Sequence, residues 1–140
     1  MIRIQAEPWR AMVKHACSAY PQECVGVMLG WSENGSKRVE TAVEMENVSA
    51  GPRRQRYELR PDDLRAADAE ARRRGLTLVG VYHSHPDCDA YFSITDLKNS
   101  CPWYSFVVLS IRDGRFDHAQ SWLPDADQKT AEPEELITES

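Results

Sequence analysis

The sequence predicts an α/β fold, an α/β sandwich around a mixed sheet, and three observations carry that expectation. Short β-branched, apolar runs alternate with amphipathic helical stretches. The elements read in the order β-α-β-β-α-β-α-β-β, with no internal repeat and no low-complexity linker. The chain's 140 residues suffice for one core and hardly for two.

The opening "MIRIQ" alternates Ile2 and Ile4 with polar neighbours, the pattern of a short strand. In "EPWRAMVKHACSAY", Pro8 suits a first helical turn, and Trp9, Met12, Val13, Ala16 and Cys17 recur at helical spacing, up to the stop at Pro21. "ECVGVMLGWS" predicts a buried strand, "NGS" at 34–36 a turn, and "KRVETAVEMEN" a second strand. After the polar loop "SAGPRRQR" comes the clearest helix, "RPDDLRAADAEARRRG". Pro61 stands near its start, with acids early, arginines late and Gly75 as the stop. "LTLVGVYHSH" predicts another buried strand and "SITDLKNS" a short helix. "YSFVVLSI", the turn "RDG" at 112–114 and "RFDHAQSWL" form a closing hairpin.

Charge is unevenly spread along the chain. From Asp125 onward there are six acids and one base, whereas residues 1–124 hold 16 of each. A balanced body argues against bulk attraction to nucleic acid. The expected organisation is one domain over 1–123, followed by an acidic, flexible segment over 124–140. No apolar run is long enough to span a membrane, and the N-terminus lacks the pattern of a secretion signal, so the expected location is the cytoplasm. The cysteines Cys17, Cys24, Cys88 and Cys101 form no C-x-x-C pair and are expected as thiols. A bridge between Cys88 and Cys101 is the pairing the spacing leaves open.

The chemistry concentrates in "VGVYHSHPDCDAYFSITDLKNS", residues 79–100. His83 and His85 stand two apart on a predicted strand, so both imidazoles face one side while Ser84 faces the other. Neutral imidazole is a common zinc donor, and catalytic zinc takes three protein ligands. Asp96, in the first turn of the next helix, is a natural third ligand. Asp87, Asp89 and Cys88 compete for that place on sequence chemistry alone. "SITD" also fits a capping box, in which Ser93 caps the helix and Asp96 reaches back. A zinc deaminase site would need His-x-Glu and Pro-Cys-x-x-Cys, and neither is present. Glu23 opens an apolar strand, a position that suits a carboxylate only if it is used or paired.

The spacing His83-x-His85, seven residues, Ser93, two residues, Asp96 resembles the JAMM motif of the MPN-plus zinc metalloproteases at every interval. Glu23 in "PQECVGVMLG", with Gly26 and Gly30 behind it, is similar to that family's upstream glutamate, and the resemblance runs over residues 1–123. It implies an α-β-α sandwich similar to the cytidine-deaminase fold, one Zn²⁺ on His83, His85 and Asp96, Glu23 as general base, and Ser93 as donor to the developing oxyanion. Phe92 departs from the proline that many relatives carry before the serine, and the loop 86–92 is too short for a large insertion.

"DLKNSCPWYSFVVLSI" resembles the bacterial stand-alone branch, linked to ubiquitin-like sulfur carriers of the ThiS/MoaD type. That resemblance implies hydrolysis of a peptide or isopeptide bond after the carrier's Gly-Gly tail, entering as an added strand. A scaffold without proteolysis and a zinc amidase for small molecules are the other classes, and the complete ligand set favours the protease. Arg53, Arg54 and Arg56 could meet an acidic carrier face, but a solvated basic loop is the favoured reading, because mixed charges are normal surface. His15 and His118 have no motif around them, and Trp103 and Trp122 are expected to pack.

Overall fold

In the computed structural model, which describes residues 1–53 and 56–140, eleven elements follow the predicted order and then add two strands. They are β1 (Ile2–Ile4), α1 (Ala6–Ala19), β2 (Val25–Glu33), β3 (Ser36–Met45), α2 (Pro61–Arg73), β4 (Thr77–Pro86), α3 (Ile94–Lys98), β5 (Ser105–Arg112), β6 (Arg115–Pro124), β7 (Ala131–Glu134) and β8 (Leu136–Thr138). All eight strands join one sheet in the order β7-β6-β5-β4-β2-β3-β1-β8. The sheet is mixed: β4–β5 and β1–β3 run parallel, whereas β2–β3, β2–β4 and β5–β6 run antiparallel.

The sandwich arises because each central strand is apolar on both faces. On one face, Met12 and Ala16 of α1 pack with Met28, Tyr82, Val107 and Leu109. On the other, Ala67 and Ala71 of α2 pack with Val25, Val27, Leu29, Val81 and Phe106. Tight approach within the sheet selects glycine, as Gly26 and Gly80 illustrate. A Cβ at Gly26 would meet the Tyr82 ring at 2.3 Å, and one at Gly80 would meet the Ser105 carbonyl oxygen at 2.2 Å. The predicted hairpin turns hold, with positive φ at Asn34 and Gly35 and at Asp113 and Gly114.

The acidic segment departs from expectation. Rather than fraying, β7 pairs with β6 and β8 pairs with β1, so the chain links the two ends of the sheet through Glu135 alone. The physical reason is Glu134, a buried carboxylate that accepts from Ser105 Oγ at 2.7 Å and from Ser121 Oγ at 2.9 Å. Lys37 Nζ in turn donates to Ser105 Oγ at 2.7 Å.

All four cysteines are free, Cys24 buried and Cys88 exposed, so no bridge joins Cys88 to Cys101. Burial pushes the Cys24 thiol up to about 12, though its hydrogen bond with Ser84 works the other way. Trp103 is 69% exposed, contrary to its expected packing role. Arg72, Arg73 and Arg74 pair with Asp68 and Glu70 of their own helix, as expected of a C-terminal turn. Among the described residues, no helix is long and apolar enough to cross a membrane.

Candidate metal centre

Strand β4 delivers the first two donors. Its pleat sends His83 and His85 to the α2 face, where the His83 ring lies 4.6 Å from the Tyr57 ring. Ser84 points to the other face, and its Oγ accepts the Cys24 amide at 2.8 Å. Both histidines are buried, because β2 and β5 flank this part of β4 on either side.

Helix α3 delivers the third donor. Ser93 Oγ accepts from the Asp96 amide at 2.9 Å, and Asp96 Oδ2 accepts from the Ser93 amide at 3.0 Å, a complete capping box. The box turns Asp96 into the interior, where Oδ2 lies 3.2 Å from His83 Nε2 and 3.1 Å from His85 Nε2. The two imidazole nitrogens are 3.3 Å apart. Asp87 and Asp89 stay outside this triangle: Asp87 accepts from the Asp113 amide and Tyr20 Oη, and Asp89 pairs with Arg112.

The triangle fits a small tetrahedral cation. Donors bound at about 2.0–2.1 Å around a tetrahedral ion stand about 3.3–3.4 Å from one another, close to all three spacings. The protonation states fit as well. His85 Nδ1 donates to the Asp89 carbonyl at 3.0 Å, which leaves Nε2 with its lone pair facing the other donors. Burial holds His83 below its ordinary value, favouring the neutral ring that ligates metals. Burial alone would raise the Asp96 carboxyl, but the two histidines beside it hold it well below the usual range.

Glu23 lies beside this triangle at the entry to β2. Its backbone is fixed by the Arg53 carbonyl, which accepts its amide at 2.6 Å, and by Asn47 Nδ2, which donates to its carbonyl at 3.1 Å. The side chain is 5% exposed, and Oε1 has no hydrogen-bond partner among the described residues. Burial, with a smaller contribution from the Asp96 charge, pushes its carboxyl up to about 9.

A family profile described as prokaryotic homologues of the JAB domain matches residues 5–124. The chain belongs to that family. Among its relatives, desampylase of Haloferax volcanii is 37% identical over 106 residues, covering 75% of this chain and 73% of that protein. CysO-cysteine peptidase of Mycobacterium tuberculosis is 31% identical over 135 residues, covering 96% and 90%. A solution structure from Desulfitobacterium hafniense superimposes with a TM-score of 0.86 at 25% identity, covering 100% of this chain and 94% of that one.

The structure adds neighbours that the sequence did not single out. Tyr57 is buried against His83, and its hydroxyl has no partner among the described residues. Tyr91, 51% exposed, sets its ring 4.9 Å from the His85 ring at the mouth of the site. Asn47 ties Glu23 to the following loop by also donating to the Arg56 carbonyl at 3.0 Å. No motif marks these residues, because their roles depend on distant chain segments meeting. Of the basic loop, Arg54 lies outside the described residues, and Arg53 Nε donates to the Ser49 carbonyl at 3.4 Å.

Proposed function

We propose that this JAB-domain protein is a cytoplasmic zinc metallopeptidase. It hydrolyses the peptide or isopeptide bond after the C-terminal Gly-Gly of a ubiquitin-like sulfur carrier of the ThiS/MoaD type. The observation that carries the reading is the meeting of His83, His85 and Asp96 donors at 3.1–3.3 Å beside a Glu23 oxygen that has no partner among the described residues. Relatives named desampylase and CysO-cysteine peptidase support hydrolysis of ubiquitin-like protein conjugates. Four free thiols accord with a reducing compartment.

His83, His85 and Asp96 would hold the ion. Zn²⁺ there supplies a Lewis acid for the scissile carbonyl and makes water acidic near neutral pH. Glu23 Oε1, buried and without a partner among the described residues, would work as the carboxylate that a neighbouring dication favours over the protonated form of the metal-free protein. It takes the proton of the attacking water and returns it to the departing amine as the C–N bond breaks. Ser93 Oγ accepts from the Asp96 amide, so its own O–H remains to donate to the carbonyl oxygen as charge develops.

An extended tail has a place to lie. β1 covers the outer edge of β3 only at Lys37, Arg38 and Val39. Beyond them, a groove of about 420 Å³ lies between β3 and α2, lined by Val43, Met45, Ala66 and Ala67 and by the charged Glu44, Glu46, Arg60, Asp63 and Glu70. Met45 pairs with Val25, two residues on from Glu23, so the groove leads toward the site. Strand addition along such an edge supplies main-chain hydrogen bonds without side-chain pockets, which suits glycines.

The test combines metal content with cleavage of a carrier extended beyond its Gly-Gly. Wild type is expected to hold one zinc per chain and release the extension. Glu23→Gln is expected to hold zinc and cleave nothing, and His85→Ala to lose both. A fully active Glu23→Gln would remove the assigned base, and wild type that takes up no added zinc would remove the metal site.

A further inference from the structure

The loop between β4 and α3 carries an arrangement that the proposed chemistry does not use. Its Asp89–Ala90 peptide is held on both sides by histidines. The Asp89 carbonyl accepts from His85 Nδ1 at 3.0 Å, and the Ala90 amide donates to His118 Nε2, also at 3.0 Å. An imidazole nitrogen that accepts an amide carries no proton, so the His118 proton sits on Nδ1. There it is donated to Asp117 Oδ2 at 2.6 Å.

These contacts form one continuous chain: the Asp117 carboxylate, His118, the 89–90 peptide, then His85. Every donor points the same way, from the proposed metal ligand outward to the carboxylate. Hydrogen bonds aligned in series polarise one another, and a partner on the distal nitrogen fixes a ligand's tautomer and raises its basicity. The peptide cannot rotate without breaking two of these bonds, and Trp122 Nε1 donates to the Ala90 carbonyl at 3.0 Å to hold the next peptide. Arg112 steadies the far end, its Nε standing 3.5 Å from Asp117 Oδ2.

We propose that His118 is a positioning residue for the metal centre, acting through the Asp89–Ala90 peptide to hold His85 in its Nδ1–H tautomer. The inference rests on the metal-binding reading of His83, His85 and Asp96. His118 lies on β6, 33 positions after His85, so spacing within the motif could not reveal it.

The experiment compares wild type, His118→Ala and His118→Gln as full-length chains. Glutamine places Oε1 close to where Nε2 stands and accepts the Ala90 amide, whereas alanine cannot. Zinc affinity is measured by competition with a chromophoric chelator, and exchange of the Ala90 amide is followed by NMR in the metal-free proteins. His118→Ala is expected to weaken zinc binding by about tenfold or more and to speed Ala90 exchange. His118→Gln is expected to stay within about threefold of wild type in affinity and to keep the amide protected. Wild-type affinity in His118→Ala overturns the proposal. Equal weakening in both variants also overturns it, since it would make the ring's bulk the cause rather than its acceptor. Wild type that binds no zinc overturns the metal centre itself, and the wild-type titration separates that failure from the other two.

Discussion

The Cys24 backbone is bonded twice to Ser84: Ser84 Oγ accepts the Cys24 amide at 2.8 Å, and the Ser84 amide donates to the Cys24 carbonyl at 3.2 Å. The pair fastens the residue after Glu23 to the residue between His83 and His85. It therefore sets the distance between the proposed base and two proposed ligands. Ser84→Ala leaves the Cys24 amide buried without its acceptor, at a cost of about 1–3 kcal/mol. Urea unfolding of the metal-free protein should show that loss. Zinc content should be unchanged while turnover falls, because the serine holds Glu23 and not the ligands. Unchanged turnover would mean that Glu23 is held by Asn47 and Arg53 alone.

Ser93 carries two roles that separate by magnitude. Losing a helix cap costs about 1 kcal/mol, whereas losing a donor to an oxyanion costs about 10²–10³ in kcat. Ser93→Ala is therefore expected to lower stability slightly and turnover by at least about a hundredfold. Ser93→Thr, which keeps the hydroxyl, should recover most of both. A Ser93→Ala enzyme slowed only a few-fold would leave the capping box as the residue's whole task.

Glu23 makes the metal-free protein sensitive to pH. Its carboxyl lies at about 9 when folded, against 4.5 ordinarily, owing first to burial and then to Asp96. The folded state thus holds a proton that the unfolded chain gives up above about pH 4.5, so this contribution to stability declines as pH rises from there toward about 9. Glutamine cannot ionise and escapes the decline. Glu23→Gln is expected to gain on wild type between pH 5 and pH 8 by at most about 4 kcal/mol, at about 1.36 kcal/mol per pH unit. Denaturant melts of the two metal-free proteins at both pH values provide the check. A gap that stays constant with pH would place an ionised Glu23 in the folded protein.

The two proposed histidine ligands were legible because local geometry places them together, whereas Asp96 stood among Asp87, Cys88 and Asp89 as third donor until the family resemblance singled it out. A strand puts His83 and His85 on one side, and a capping box turns Asp96 toward them, so short spacing carries the three-dimensional arrangement. The same local rules account for the nine elements predicted in the correct order. Tyr57, Asn47 and His118 reach the site through long-range contacts, and nothing in their immediate sequence announces them. Trp103 failed in the other direction: an aromatic beside apolar neighbours suggests packing, but the turn at 101–104 leaves its ring in solvent.

The acidic segment defies its composition for a related reason. Composition assigned residues 124–140 to solvent because six acids repel and few apolar side chains offset them. What composition cannot show is that one acid, Glu134, is 4% exposed and accepts from two serines, or that Ile2 donates to the Glu135 carbonyl at 2.9 Å. Leu136 joins the core beside Ile2 and Ile4, so the segment closes the sheet with both backbone and apolar contacts. Ending the chain after Thr130 would uncover the β1 and β6 edges together, two rows of unpaired amides and carbonyls of the kind that promote association. The truncated protein should melt at lower temperature and form oligomers on size-exclusion chromatography. In the full chain, Glu134→Gln should destabilise less than the truncation, since it keeps the strand pairing and an acceptor for the serines. A truncated chain as stable and as monodisperse as the full one would return the segment to the solvated role its charge suggested.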